Sequence, residues 1–190
     1  MELLKQAIIR DSVVVSDQLI TLDAILNQQV DPALIMEIGK EFADRYREDG
    51  VSKVITIESS GISIAFATAY HLGVPLVFAR RKKTIVSDPN TYTERVPSFT
   101  KGIVSDLWIA HSFLSATDRI LIIDDIIANG DAVQGIIRIV ERSGASLVGL
   151  GIAVEKCFQA GGRTIREQGH RLESLVGIRS LAGGKIMFEA

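Results

Sequence analysis

Residues 119–133 read RILIIDDIIANGDAV, and this stretch restricts the fold of the chain more than any other. Ile120, Leu121, Ile122 and Ile123 leave no polar face, so they suit a strand covered on both sides, as in a parallel sheet flanked by helices. Asp124 and Asp125 interrupt the apolar run and Gly130 marks a turn. Val133, Ile136, Ile137 and Val140 then recur at helical spacing. Strand, tight turn and crossover helix together predict an α/β fold in which a helix over 131–143, stopped by Gly144, lies against the sheet.

The rest of the chain repeats that alternation. Strands are predicted at 53–57, 76–79, 107–110, 119–124, 147–154 and 174–178, several of them apolar at successive positions. A helix over 62–72 is closed by Gly73 and Pro75, and a short one is expected at 163–168. Pro32, following Asp31, should open a helix that runs to about Asp49 and ends at Gly50. Residues 1–31 are left as a small lobe, or hood, beside the sheet. At 190 residues and 47% hydrophobic content, the expectation is one domain over 1–190. The segment 80–101 carries Arg80, Arg81, Lys82 and Lys83, then a turn signal at 87–90 and a β-like run, and reads as a long hairpin or flexible lid.

Charge and composition narrow the ligand. A net charge of −2 gives no broad electrostatic reason to bind nucleic acid or an anionic membrane, so neither is expected as a partner. No stretch approaches the roughly 18 apolar residues that a membrane span needs, and the N-terminus carries Glu2, Lys5, Arg10 and Asp11 where a signal core would be apolar. A single cysteine, Cys157, allows no internal disulfide, which makes a cytoplasmic location the default. His71, His111 and His170 lie too far apart for a local metal motif. A small neutral or anionic ligand fits these facts.

The turn after the acid pair suits a phosphate. Backbone N–H groups at a helix N-terminus converge on one point, the helix dipole adds partial positive charge, and a glycine lets the main chain approach. A phosphate monoester is therefore expected over Asn129, Gly130, Asp131 and Ala132. Asp124 and Asp125 suit a ligand with vicinal hydroxyls and a bound divalent cation, because ionised carboxylates accept hydrogen bonds from the first and coordinate the second. Glu58-Ser59-Ser60-Gly61 also follows a predicted strand and opens a helix, making a second candidate anion site or a simple helix cap.

Apolar strand, two acids, two apolar residues and a glycine-containing turn, in that order over 120–132, resemble the signature of the type I phosphoribosyltransferases. The resemblance implies a parallel five-stranded core with a hood, 5-phosphoribosyl 1-diphosphate as ribose donor, Mg²⁺ accompanying its diphosphate, and commonly a homodimer. It implies that Asp124 and Asp125 hold the ribose hydroxyls, with Mg²⁺ as a further candidate ligand, and that Ala128, Asn129, Gly130, Asp131 and Ala132 bind the donor phosphate. Ser59, Ser60 and Arg80 become candidates for its diphosphate. Many relatives place Thr at position 129, Thr or Ser at 132, and some an Asp at 128. Asn129, Ala132 and Ala128 therefore remove two hydroxyl contacts and an acid near the base. Loss of that acid matters less for a base that gives up its proton readily, and xanthine is more acidic than hypoxanthine or guanine.

Longer stretches, among them 26–32, 56–62, 98–101 and 128–130 with Glu155-Lys156, are similar to bacterial xanthine phosphoribosyltransferases over nearly the whole chain. That similarity implies transfer of the phosphoribosyl group to N9 of xanthine, giving xanthosine 5′-monophosphate, with Ile20, Asn27 and Lys156 at the xanthine-contacting positions. A Lys donor and an Asn that both donates and accepts can read the edge of a purine dione. Two other readings stand beside it. Adenine phosphoribosyltransferases share an acid pair followed by Ala at position 128, although Lys156 would find no good acceptor on an exocyclic amine. A purine-sensing repressor of the same fold would need a winged helix, for which the roughly 50 residues before the core leave little room.

Overall fold

A computed structural model describes residues 1–82, 89–98 and 103–189. The chain opens with helix α1 (Glu2–Asp11), hairpin strands β1 (Val13–Ser16) and β2 (Leu19–Thr21), and a π-helical turn at Asp23–Asn27. Helix α2 (Pro32–Tyr46) then starts where the sequence marks it: Asp31 Oδ1 accepts from the amides of Ala33 and Leu34 at 2.9 and 3.3 Å, and Pro32 occupies the first turn. A 3₁₀ turn carries the chain to Asp49 and Gly50 ends it at φ +62°.

Eight strands follow: β3 (Lys53–Ile57), β4 (Leu76–Lys82), β5 (Thr91–Ser98), β6 (Ile103–Ala110), β7 (Arg119–Ile127), β8 (Ser146–Lys156), β9 (Leu172–Ser180) and β10 (Met187–Phe188). They form one sheet in the order β10-β9-β8-β7-β3-β4-β6-β5. From β9 through β8, β7 and β3 to β4 every pairing is parallel, which gives the five-stranded core that the family resemblance implies. β10 on one side and β6 with β5 on the other extend it antiparallel. Helices α3 (Ile62–Leu72), α4 (Asp131–Ser143) and α5 (Gly161–Glu167) complete the fold.

β7 runs between two cores, and its side chains divide by parity. Leu121 and Ile123 face a cluster containing Ile38 and Phe42 of α2, Ala65 of α3 and the hood residues Ile20, Ile25 and Leu26. Ile120 and Ile122 face another built on Val133, Ile136, Ile137 and Val140 of α4. Each fully buried aliphatic side chain contributes about 1.5–3 kcal/mol, so the strand that precedes the turn is held on both faces. The predicted strands at 119–124 and 147–154 both run further, because Ile126↔Val154 and Ile127↔Glu155 pair beyond the acids.

The hood belongs to the first of these cores. Among the described residues no helix is long and apolar enough to cross a membrane. Of the predicted lid over 80–101, the described part is the end of β4 together with β5, whose Glu94 pairs with Arg138 and Arg142 of α4 at 2.8 and 2.6 Å. Positions 83–88 and 99–101 lie outside the described residues.

Candidate active site

Parallel strands end on one rim, and a ligand crevice outside those carboxyl ends is the usual consequence of such a sheet. At this rim β7 gives way to Ala128 and Asn129, then to Gly130 at φ +85°, a left-handed conformation that favours glycine, and α4 begins at Asp131. The turn rests on the start of α5, where Gly161 N–H donates to the Ala128 carbonyl at 2.9 Å. A methyl group at Gly161 would collide with that carbonyl oxygen and stand 2.7 Å from Gly130 N and 2.8 Å from the Asn129 carbonyl carbon. Gly161 thus supports the turn from beneath, a role that sequence reasoning missed. The one available signal was a glycine pair, Gly161-Gly162, at the start of a helix that glycine disfavours.

The acid pair and the second loop lie against each other. Asp124 and Asp125 are each 8% exposed. Burial, reinforced for Asp124 by its neighbour's charge, pushes both carboxyls above the usual carboxylate range. The Ser60 hydroxyl hydrogen-bonds Asp125 and partly offsets its burial. A Cβ at Gly61 would strike the Thr56 hydroxyl and come within 2.5 Å of Asp124 Oδ1, so only glycine lets this loop seat against the acids. The Glu58–Ser59 peptide that begins the loop is cis.

A cleft of about 280 Å³ gathers Asp124, the turn residues Ala128, Asn129, Gly130, Asp131 and Ala132, Arg81 from β4, Gln18 and Leu19 from the hood, and Lys156 and Gln159 from the end of β8. Lys156 is 5% exposed, and its Nζ donates to the Gln18 carbonyl at 2.9 Å. Burial lowers its ammonium below the ordinary lysine range. Beneath it Glu155 is gripped by both guanidinium nitrogens of Arg166 at 2.7 Å and accepts from the Ser174 hydroxyl. Burial would raise the Glu155 carboxyl, but those partners outweigh it and hold it below its usual range.

Other expected residues lie beside this cleft. Arg80 pairs with Glu58 at 2.9 Å and stacks over Phe78, on the sheet face opposite Arg81, so Arg81 is the guanidinium that lines the cleft. Ile20 is buried in the hood core. Asn27, whose Nδ2 donates to Asp23 Oδ1 at 2.5 Å, borders a separate groove with Ser59 and Ser60. Among the described residues no three His, Cys, Asp or Glu side chains converge as a metal cage.

An amide turn on a parallel sheet, an acid pair before it and a hood thus meet at one rim. The profile described as "Phosphoribosyl transferase domain" matches residues 24–169, and the chain belongs to the phosphoribosyltransferase family. Two curated relatives named xanthine phosphoribosyltransferase are similar over nearly the full length. That of Moorella thermoacetica is 48% identical across 98% of this chain and 95% of its own. That of Stutzerimonas stutzeri is 47% identical across 99% of each. Among solved structures, the adenine phosphoribosyltransferase of Giardia lamblia superposes with a TM-score of 0.74 at 21% identity over 92% of this chain and 97% of that one. The adenine phosphoribosyltransferase of Rhodothermus marinus gives a TM-score of 0.73 at 24% identity over 93% and 97%. At that identity these two likenesses speak for the fold.

Two outcomes follow from the geometry. A carboxyl raised by burial retains its proton in the folded state at a pH where the unfolded chain has released it, so stability falls as pH rises through the raised range. Asp124→Asn removes that penalty: the ligand-free protein should melt about 2–4 °C higher at neutral pH while turnover drops, as thermal melts and rate assays would reveal. An unchanged or lower Tm would contradict the burial argument. Gly161→Ala should raise the KM for the ribose-phosphate donor about tenfold or more by displacing the turn, a change of roughly 1.4 kcal/mol in ground-state binding.

Proposed function

We propose that this chain transfers the 5-phosphoribosyl group from 5-phosphoribosyl 1-diphosphate to N9 of xanthine, releasing diphosphate and xanthosine 5′-monophosphate. The observation that carries the reading is a buried ammonium, Lys156, in the same cleft as the phosphate turn and Asp124. The turn amides from Asn129 to Ala132 take the 5′-phosphate, and Asp124 and Asp125 take the ribose 2′ and 3′ hydroxyls. Lys156 then donates to a carbonyl oxygen of the base. Its ammonium keeps two further N–H donors beyond the bond to Gln18.

In this reaction the bond from ribose C1′ to the diphosphate oxygen breaks while N9 bonds to C1′, and positive charge gathers on the ribose on the way. The protein contributes mainly positioning and electrostatics. Asp124 and Asp125 fix the sugar by its hydroxyls, and their negative charge lies on the side where cationic character develops. Arg81 in the cleft offsets negative charge on the leaving diphosphate, with Ser59, Ser60 and Arg80 as further candidates on the adjoining loop and strand. The hood and lid exclude water, which would otherwise take the place of the base. The acid pair suits Mg²⁺ as a partial oxygen ligand: two carboxylates that no third His, Cys, Asp or Glu joins among the described residues fit an ion held chiefly by substrate oxygens and water. When bound, Mg²⁺ neutralises charge on the diphosphate. The same reading takes the protein as a cytoplasmic homodimer whose small-molecule partners are xanthine and the donor, within a single domain over 1–190.

Adenine is disfavoured because its exocyclic amine offers Lys156 no acceptor, and the long similarity to relatives named for xanthine points the same way. The reading is tested by kcat/KM with xanthine, hypoxanthine, guanine and adenine. Xanthine should lead; highest efficiency with adenine defeats the base assignment. Lys156→Ala should raise the KM for xanthine more than tenfold and leave the KM for the donor within about twofold, since a charged hydrogen bond contributes roughly 1.5–3 kcal/mol. Parallel losses for both substrates would remove Lys156 from base recognition.

A further inference from the structure

Gln159 stands three positions beyond Lys156, between β8 and α5, and is among the residues lining the cleft that contains Lys156 and the 128–132 turn. Its Nε2 donates to Gln18 Oε1 at 3.1 Å, and the backbone carbonyl of the same Gln18 accepts from Lys156 Nζ at 2.9 Å. These two bonds fasten the turn between β1 and β2 to the end of β8. The first also orients the amide of Gln159: its donor end is turned to the hood. Its other end is unmatched, because Gln159 Oε1 is shielded from solvent and, among the described residues, has no hydrogen-bond partner. Buried amide oxygens are nearly always paired in folded proteins, and one left over at a binding cleft is matched most simply by a ligand N–H.

We propose that Gln159 is a specificity residue for the base, its side-chain carbonyl accepting a ring N–H of the purine whose neighbouring carbonyl oxygen Lys156 holds. The proposal rests on the xanthine reading and extends it. In xanthine each N–H of the six-membered ring adjoins a C=O, so a fixed donor and a fixed acceptor side by side match that pair of atoms. Adenine presents a ring nitrogen acceptor beside an amine there, the reverse polarity, and would set acceptor against acceptor at Gln159 and donor against donor at Lys156. A site built for a hydrogen-bonded edge rejects ligands that cannot return those bonds more strongly than an apolar pocket does. A role confined to fastening the hood makes a different forecast: loss of Gln159 would then equal loss of Gln18 and would disturb donor and base together.

Steady-state kinetics on the full chain separate these accounts. Xanthine turnover by the unaltered protein is measured first; its absence would sink the proposed reaction and the role of Gln159 with it. Given turnover, Gln159→Leu should raise the KM for xanthine roughly tenfold with kcat and the donor KM within about twofold, and Gln18→Ala should raise it less. If Leu at this place prevents folding, Gln159→Asn, which withdraws the amide by one methylene, should produce the same selective loss. An unchanged xanthine KM, a donor KM that rises in step, or equal losses in the Gln159 and Gln18 variants would each overturn the role of Gln159 while leaving the reaction class intact.

Discussion

Two adjacent carboxylates, Asp124 and Asp125, are buried at the end of the central strand, and the organisation of the site depends on making that burial tolerable. Buried charge is unfavourable unless it is paired or hydrogen-bonded. In the ligand-free protein the partial answer is a raised protonation range and a hydroxyl from Ser60. A ligand that brings hydroxyl donors and a cation, as the proposed ribose donor does, would supply the rest. Everything nearby lets something polar come close: Gly61 clears the side of Asp124, and Gly130 and Gly161 clear the turn.

The polypeptide solves a second problem at the same rim. The phosphate site proposed for the main-chain amides of 129–132 needs the right curvature without side chains intruding, and the hydrogen bond from Gly161 to the Ala128 carbonyl supports that turn from beneath. Glu155 and Arg166, locked together at the join of β8 and α5, fix the element that carries Gly161 and Lys156. The proposed donor and base subsites thus share one support. Preorganisation of this kind suits a reaction in which positioning and electrostatics supply most of the acceleration.

Much of this was legible from the sequence, for reasons that are physical and local. The unbroken apolar run of β7, the helical spacing of Val133, Ile136, Ile137 and Val140, and the Asp31-Pro32 cap each report on their own backbone. What depended on distant packing was not legible. Arg80 and Arg81 are neighbours in an alternating strand, and which of them meets the cleft is settled only by which sheet face α3 covers. Phe78 and Arg80 lie on one face, and Ala79 belongs to the core on the other. The surface lysine that Lys156 resembles in isolation becomes a buried donor because the hood folds over it, and the sequence separation between Gln18 and Lys156 hides that contact. Gly161 was overlooked because glycine opening a helix reads as a weakness until the chain that rests on it is in view.

On the proposed reading, main-chain amides at the mouth of α4 hold the 5′-phosphate of the sugar. Backbone amide chemical shifts of the isotopically labelled protein, followed while ribose 5-phosphate is added, report on that contact residue by residue. The largest, saturable changes should fall on Asn129, Gly130, Asp131 and Ala132, with Gly161 following as the turn tightens. Changes centred on any other part of the rim, with those four amides unmoved at saturation, would contradict it.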